Sequence, residues 1–157
     1  MDENLKHELQ VASYRGIVIQ AVIILERAID IYLANYFCID KKRNEIMELI
    51  LIPRMSLDSK KQVLDYILKK QPALLQAYPT LLKDLDEIIE QRNRYAHYMH
   101  LSLDYHTKYD ELPIFKGDFV LQKTKNDHKA FVISESEFDE LEALIKKCTI
   151  FISDLLQ

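Results

Sequence analysis

Glycine and proline are scarce in this chain: its 157 residues include two and four of them, beside 48% hydrophobic and 29% charged residues. So little turn-forming material excludes long linkers, low-complexity tails and a many-turned β fold, and favours helices. Cysteine is scarce too. Cys38 and Cys148 stand in apolar helical surroundings without metal-ligand spacing, which reads as small buried hydrophobes in a reducing compartment. A long hydrophobic run is missing. The most apolar stretch, Ile17 to Leu25, is interrupted by Gln20 and stopped by Glu26-Arg27, well short of the roughly 20 residues that cross a bilayer. The opening MDENLKHELQ is acidic and amphipathic and lacks the basic and apolar regions of a signal peptide. A cytoplasmic location with no membrane partner is the expectation. An excess of positive charge is also absent: 21 Lys and Arg against 25 Asp and Glu leave a formal net charge of -4. A general nucleic-acid coat protein is thereby excluded, because such binding rests on broad phosphate neutralisation, and any nucleic-acid site must be local.

What is present is helical periodicity over a length that suits one domain, 1–157, with a core of its own. From Leu5 to about Phe37, Ile17, Ala21, Ile24, Ala28 and Ile31 step by three and four, with Val18, Leu25, Ile29 and Tyr32 widening the stripe. Gly16 within it suggests a bend or a close helix approach. A second helix is predicted over Asn44 to Ile52, ended by Pro53. Ser56 or Asp58 then caps a third, with Val63, Leu64, Ile67 and Leu68 inward and Lys60, Lys61, Lys69 and Lys70 in water. A short piece follows around Ala73 to Ala77. Pro79-Thr80 opens a long helix carrying Leu81, Leu82, Leu85, Ile88 and Ile89. Pro113 to Phe119 and Phe131 to Ile133 read as a small peripheral β-hairpin, about 113–133. Ser134 and Glu137 match a capping box for a last helix with Phe138, Leu141, Leu144, Ile145, Cys148 and Ile152 on its apolar side.

The long helix before the hairpin carries the chemistry. Leu81, Leu85, Ile88, Arg92 and Tyr95 share one face, so Arg92 falls where the pattern calls for an apolar residue. Asn93 and His97, four apart, share another face, and Arg92 and His97 are separated by roughly 140° around an ideal helix. A groove between packed helices, including copies from two subunits, can gather such adjacent faces. The residues His97, His100, Asp104 and His106 match no specific zinc spacing, and no metal or cofactor is expected. The acidic run Asp84, Asp86, Glu87 and Glu90 reads as a solvated face.

Arg92-Asn93, three further residues and His97 resemble the signature of the HEPN family, an arginine and a histidine with four to six residues between them, often with a polar residue after the arginine. The resemblance covers the helical chain from about Leu5 to Leu101 and the last helix. It implies a mainly α fold, a bundle of four to five helices with the hairpin as an elaboration, and a homodimer with its site across the twofold axis. The implied activity is metal-independent endoribonuclease cleavage, in which the ribose 2′-hydroxyl attacks the adjacent phosphate and leaves a 2′,3′-cyclic phosphate. Arg92, Asn93 and His97 would be catalytic, while Arg94, Tyr95 and Tyr98 would bind RNA, the tyrosines by stacking on bases. The implied setting is a bacterial toxin or defence effector with a cognate antitoxin or regulatory protein. The alternative is a non-catalytic HEPN-like module that binds nucleotide, RNA or a protein. In a related toxin class, the tyrosine two residues beyond the motif histidine is modified with AMP; here that position is Met99, and Tyr98 comes one residue early.

Overall fold

Side-chain caps set three of the helix starts. Asp40 accepts from the backbone N–H groups of Lys42 and Arg43 at 3.0 and 3.1 Å, so the second helix opens at Lys41 and not at Asn44. Ser56 Oγ accepts from the Ser59 N–H at 3.1 Å and opens the third. The Ser134–Glu137 capping box closes reciprocally: the Ser134 N–H donates to Glu137 Oε2 at 2.8 Å, and the Glu137 N–H donates to Ser134 Oγ at 3.3 Å.

The computed structural model describes residues 3–101, 119–122 and 130–156, and among them the chain is mainly α-helical. In chain order the elements are α1 (Glu3–Phe37), α2 (Lys41–Ile46), a π-helical turn (Met47–Leu51), a 3-10 turn (Ile52–Arg54), α3 (Leu57–Lys70), α4 (Pro72–Ala77) and α5 (Leu81–His97). Strands β1 (Met99–Leu101), β2 (Phe119–Gln122) and β3 (Ala130–Ile133) follow, and then α6 (Glu135–Asp154). Pro53 lies inside the 3-10 turn, where its missing N–H costs nothing, and does not end the preceding helix before it. The strands pair antiparallel in the order β1-β2-β3, with His100 opposite Leu121 and Val120 opposite Val132. The hairpin arm expected at 113–118 and the polar segment 123–129 lie outside the described residues. Among those residues no helix is long and apolar enough to cross a membrane.

The chain divides into two compact units, and α1, α5 and α6 each contribute to both. Residues 1–20 and 90–143 form the first unit, whose buried side chains include Val11, Val18, Tyr95, Ile133, Phe138 and Leu141. In it Tyr14 stacks on Phe138 with ring centroids 4.2 Å apart. Residues 21–89 and 144–157 form the second unit, a helical bundle. Its helices bury Leu25 and Ile29 from α1, Leu64 and Ile67 from α3, Leu85 and Ile88 from α5, and Ile145 and Ile152 from α6. Each such side chain contributes roughly 1.5–3 kcal/mol when fully buried.

Two expectations for the core are corrected. Along α1 the buried stripe is Val11, Val18, Val22, Leu25, Ile29 and Tyr32, while Ile17 and Ile24 are exposed, a rotation that periodicity cannot settle when both faces are apolar. Lys60 is 1% exposed and not in water. Its ammonium meets Glu26 at 2.6 Å and Asp30 at 2.7 Å, both on α1, so the charge is buried because it is paired twice. Burial pushes the Asp30 carboxyl above its ordinary value, and the hydrogen bond from Lys60 opposes that shift.

The acidic run on α5 divides in the same manner. Asp84 turns inward to accept from Tyr78 Oη at 2.8 Å and Thr80 Oγ1 at 3.0 Å. Asp86 stays on the exposed face and pairs with Lys61. Tyr78 packs edge-on against Phe151 and its hydroxyl lies 3.6 Å from Cys148 Sγ; Cys148 is buried, whereas Cys38 is half-exposed.

Candidate functional site

The last turn of α5 contains neither glycine nor proline, so its ending needs another cause. An α-helix leaves its final carbonyls without intrahelical partners. Arg15, reaching from α1 within the first unit, donates from Nε to the Tyr95 carbonyl at 2.7 Å and from Nη2 to the Ala96 carbonyl at 3.4 Å. Two positions after His97 the backbone joins the sheet, with Met99 opposite Gln122. A cation at a helix C-terminus is also favoured by the helix dipole. Arg15 therefore fixes the backbone next to His97, and the hydrophobic pattern did not reveal it: its signal was the lone charged residue between Glu8 and Glu26 of α1.

Four of the residues predicted for the site, Arg92, Asn93, Arg94 and His97, lie in the last two turns of this helix. Arg92 is half-buried, and its Nη1 donates to Asn93 Oδ1 at 3.1 Å, so these two side chains are brought together. Asn93 and His97 are exposed and lie four residues apart on the continuous helix. Among the described residues neither Arg92 nor His97 has a carboxylate partner. Arg94 differs, since it pairs with Glu90 one turn back.

The two tyrosines diverge. Tyr95 is 1% exposed, within the core of the first unit, and burial pushes its phenol up, with Glu137 and Tyr14 adding to the shift. A ring so enclosed presents no face to a base, which corrects the stacking role expected of it. Tyr98 is half-buried, and its N–H continues the helical bonding to the Arg94 carbonyl at 3.0 Å. Among the described residues no group of three or more His, Cys, Asp or Glu is placed to hold a metal ion, and the side chain of His100, with Asp104 and His106, lies outside them.

The arrangement presents a guanidinium with free donor capacity, an amide that steadies it, and an exposed imidazole, all within the last two turns of one helix. A guanidinium presents a fork of donors that matches phosphate oxygens, and an imidazole exchanges protons near neutrality. No protein-family model matches the chain, and neither a curated protein nor a solved structure matches it.

Proposed function

We propose that this chain is an HEPN-type endoribonuclease that cleaves RNA without a metal ion. The observation that carries the reading is Arg92: an arginine on the apolar face of α5 whose guanidinium reaches the surface, is steadied by Asn93 and has no carboxylate partner among the described residues. An exposed guanidinium whose donor fork is not taken up by an acid is open to an anion from outside the chain. A phosphate supplied by substrate would fill that role.

In this reading His97 acts on protons and Arg92 on charge. The ribose 2′-hydroxyl gives its proton to an imidazole as its oxygen attacks the adjacent phosphorus. Arg92 stabilises the negative charge that accumulates on the phosphoryl oxygens. The bond from phosphorus to the 5′-oxygen breaks, that oxygen takes a proton from a second imidazole, and the products are a 2′,3′-cyclic phosphate and a 5′-hydroxyl. The second imidazole is His97 of another copy, as the resemblance implies for a homodimer with a shared site. Asn93 orients the Arg92 guanidinium, Arg94 supplies a further cation toward RNA, and Tyr98 offers the aromatic contact that Tyr95 does not. A cytoplasmic toxin or defence effector held in check by a cognate antitoxin is the setting that follows by analogy.

The second reading, a non-catalytic module for nucleotide, RNA or protein, is favoured by one observation, the formal net charge of -4. End-group chemistry separates the two. The purified chain with a single-stranded RNA in EDTA is expected to leave cyclic-phosphate ends, and the same oligonucleotide with 2′-deoxyribose throughout is expected to survive. Equal cleavage of both, or 3′-hydroxyl ends, would contradict 2′-hydroxyl attack, and binding of RNA without cleavage would favour the second reading.

A further inference from the structure

Arg92 is not the only cation on a core-facing stripe of the first unit. On α1, Arg15 stands four residues after Val11 and three before Val18, both almost wholly buried, so it takes a position where the helix turns toward the core. Its backbone is well anchored, since the preceding residue, Tyr14, stacks on Phe138 of α6. Arg15 is part-buried, and among the described residues it has no carboxylate partner. Its guanidinium is met instead by α5, through the Tyr95 carbonyl at 2.7 Å and the Ala96 carbonyl at 3.4 Å. All of these residues, with Arg92 and His97, belong to the first unit.

The contact falls where α5 cannot complete its own bonding. The Arg94 carbonyl still accepts from the Tyr98 N–H at 3.0 Å, but the chain enters β1 at Met99, so no helical N–H follows for the next two carbonyls. One edge of a guanidinium, Nε with Nη2, carries two parallel donors that reach consecutive carbonyls, whereas an ammonium is a point charge without that fork. The positive charge also faces the negative end of the α5 dipole. His97 comes directly after these carbonyls. Its backbone is thus bracketed by Arg15 on one side and by the pairing of Met99 with Gln122 on the other. The Tyr95 ring, 1% exposed, anchors the same turn to the core by a separate contact. Loss of Arg15 therefore loosens the carbonyl end of the turn, and with it the direction of the imidazole, more than it loosens the fold.

We propose that Arg15 is a positioning residue for the Arg92–His97 site: it holds the last turn of α5 so that the His97 imidazole keeps its orientation relative to the Arg92 guanidinium. The proposal rests on the ribonuclease reading and adds to it a residue 82 positions away from His97 that acts through the backbone and not on RNA. A reacting group displaced by about 1 Å loses on the order of a hundredfold in rate, so a loosened turn is felt in turnover before it is felt in binding.

Two readouts on Arg15→Met and Arg15→Lys test it, with fold verified by circular dichroism. Amide hydrogen exchange followed by NMR, without RNA, reads the turn itself. In Arg15→Met the Tyr98 amide should exchange about tenfold or more faster, the scale of a lost charge-assisted hydrogen bond, while the Ile88 amide in the middle of α5 keeps its protection. RNA cleavage in EDTA reads the consequence: kcat per folded molecule should fall about tenfold or more with KM within about twofold. Arg15→Lys, which keeps the charge without the fork, should fall between wild type and Arg15→Met in both, and it carries the comparison should Arg15→Met not fold. Unchanged Tyr98 exchange would overturn the proposal. So would an undiminished kcat despite faster exchange, which makes Arg15 a structural cap only, or a raised KM at constant kcat, which makes it an RNA contact. A wild type that cleaves no RNA sinks the ribonuclease reading together with the catalytic consequence of Arg15, and the exchange readout then decides by itself whether Arg15 orders the turn.

Discussion

Lys60 shows how a single charge is settled by its surroundings. The amphipathic pattern of α3 puts lysines at 60, 61, 69 and 70, and nothing in it marks one of them as different. The difference comes from α1, where Glu26 and Asp30, four apart, face the Lys60 ammonium. Replacing Lys60 with methionine leaves two partly desolvated carboxylates side by side, and urea denaturation at neutral pH should show a loss of about 3–5 kcal/mol. The loss should depend on pH in a defined sense. Asp30 has a folded-state pKa raised above 3.8, so its contribution to stability is complete below that value and is lost as the pH rises through the folded value. Without Lys60 the raise is larger. The penalty of Lys60→Met should therefore be least in acid and grow toward neutrality; a pH-independent penalty would mean that lost packing, and not lost pairing, causes it. Arg92 is the counterpart. Its place on the apolar face of α5 was legible in the sequence, and so was that of Tyr95, whose burial follows from the same spacing; only the stacking role that the resemblance implied for Tyr95 ran against that pattern.

Helices were legible where chemistry acts locally. The Ser134–Glu137 box is complete within four residues, and Ser134→Ala should lower stability by about 1 kcal/mol in the same denaturation assay. Boundaries set by distant partners were harder to see. The end of α5 depends on Arg15, 80 residues before Tyr95, and β1 depends on β2. The face of α1 was the other difficulty. Ile17, Ile23 and Ile24 stay exposed although they are as apolar as Val18 and Leu25, so composition gave two stripes and tertiary packing chose between them. Gly16 is also corrected at this scale. An added methyl there would meet open space, so no close helix approach requires the glycine. Gly16→Ala should raise stability by about 0.5–1 kcal/mol by stiffening the unfolded chain and favouring helix. A destabilised variant would show that this side of α1 is covered in the working protein.

Across the whole molecule, acidic net charge and a localised basic turn divide the possible partners. Net charge of -4 disfavours sequence-independent coating of nucleic acid, whereas Arg92 and His97, without carboxylate partners among the described residues, put a guanidinium and an imidazole near one helix end. Under the proposed function, a compact site on an acidic protein suits transient contact with one scissile phosphate more than prolonged binding along a strand. The mainly α character was readable from two glycines, four prolines and the helical spacing; the division into two compact units was not, because three continuous helices serve both and no linker marks the change. The direct test of the central claim is cleavage of a mixed single-stranded RNA in EDTA by the wild type, Arg92→Ala and His97→Ala, each verified as folded by circular dichroism. The account predicts cleavage by the wild type and a loss of about a hundredfold or more in each variant, the scale of a general acid–base group or of one stabilising donor. A folded wild type that leaves varied RNAs intact, or variants that cleave as fast as it does, would contradict it.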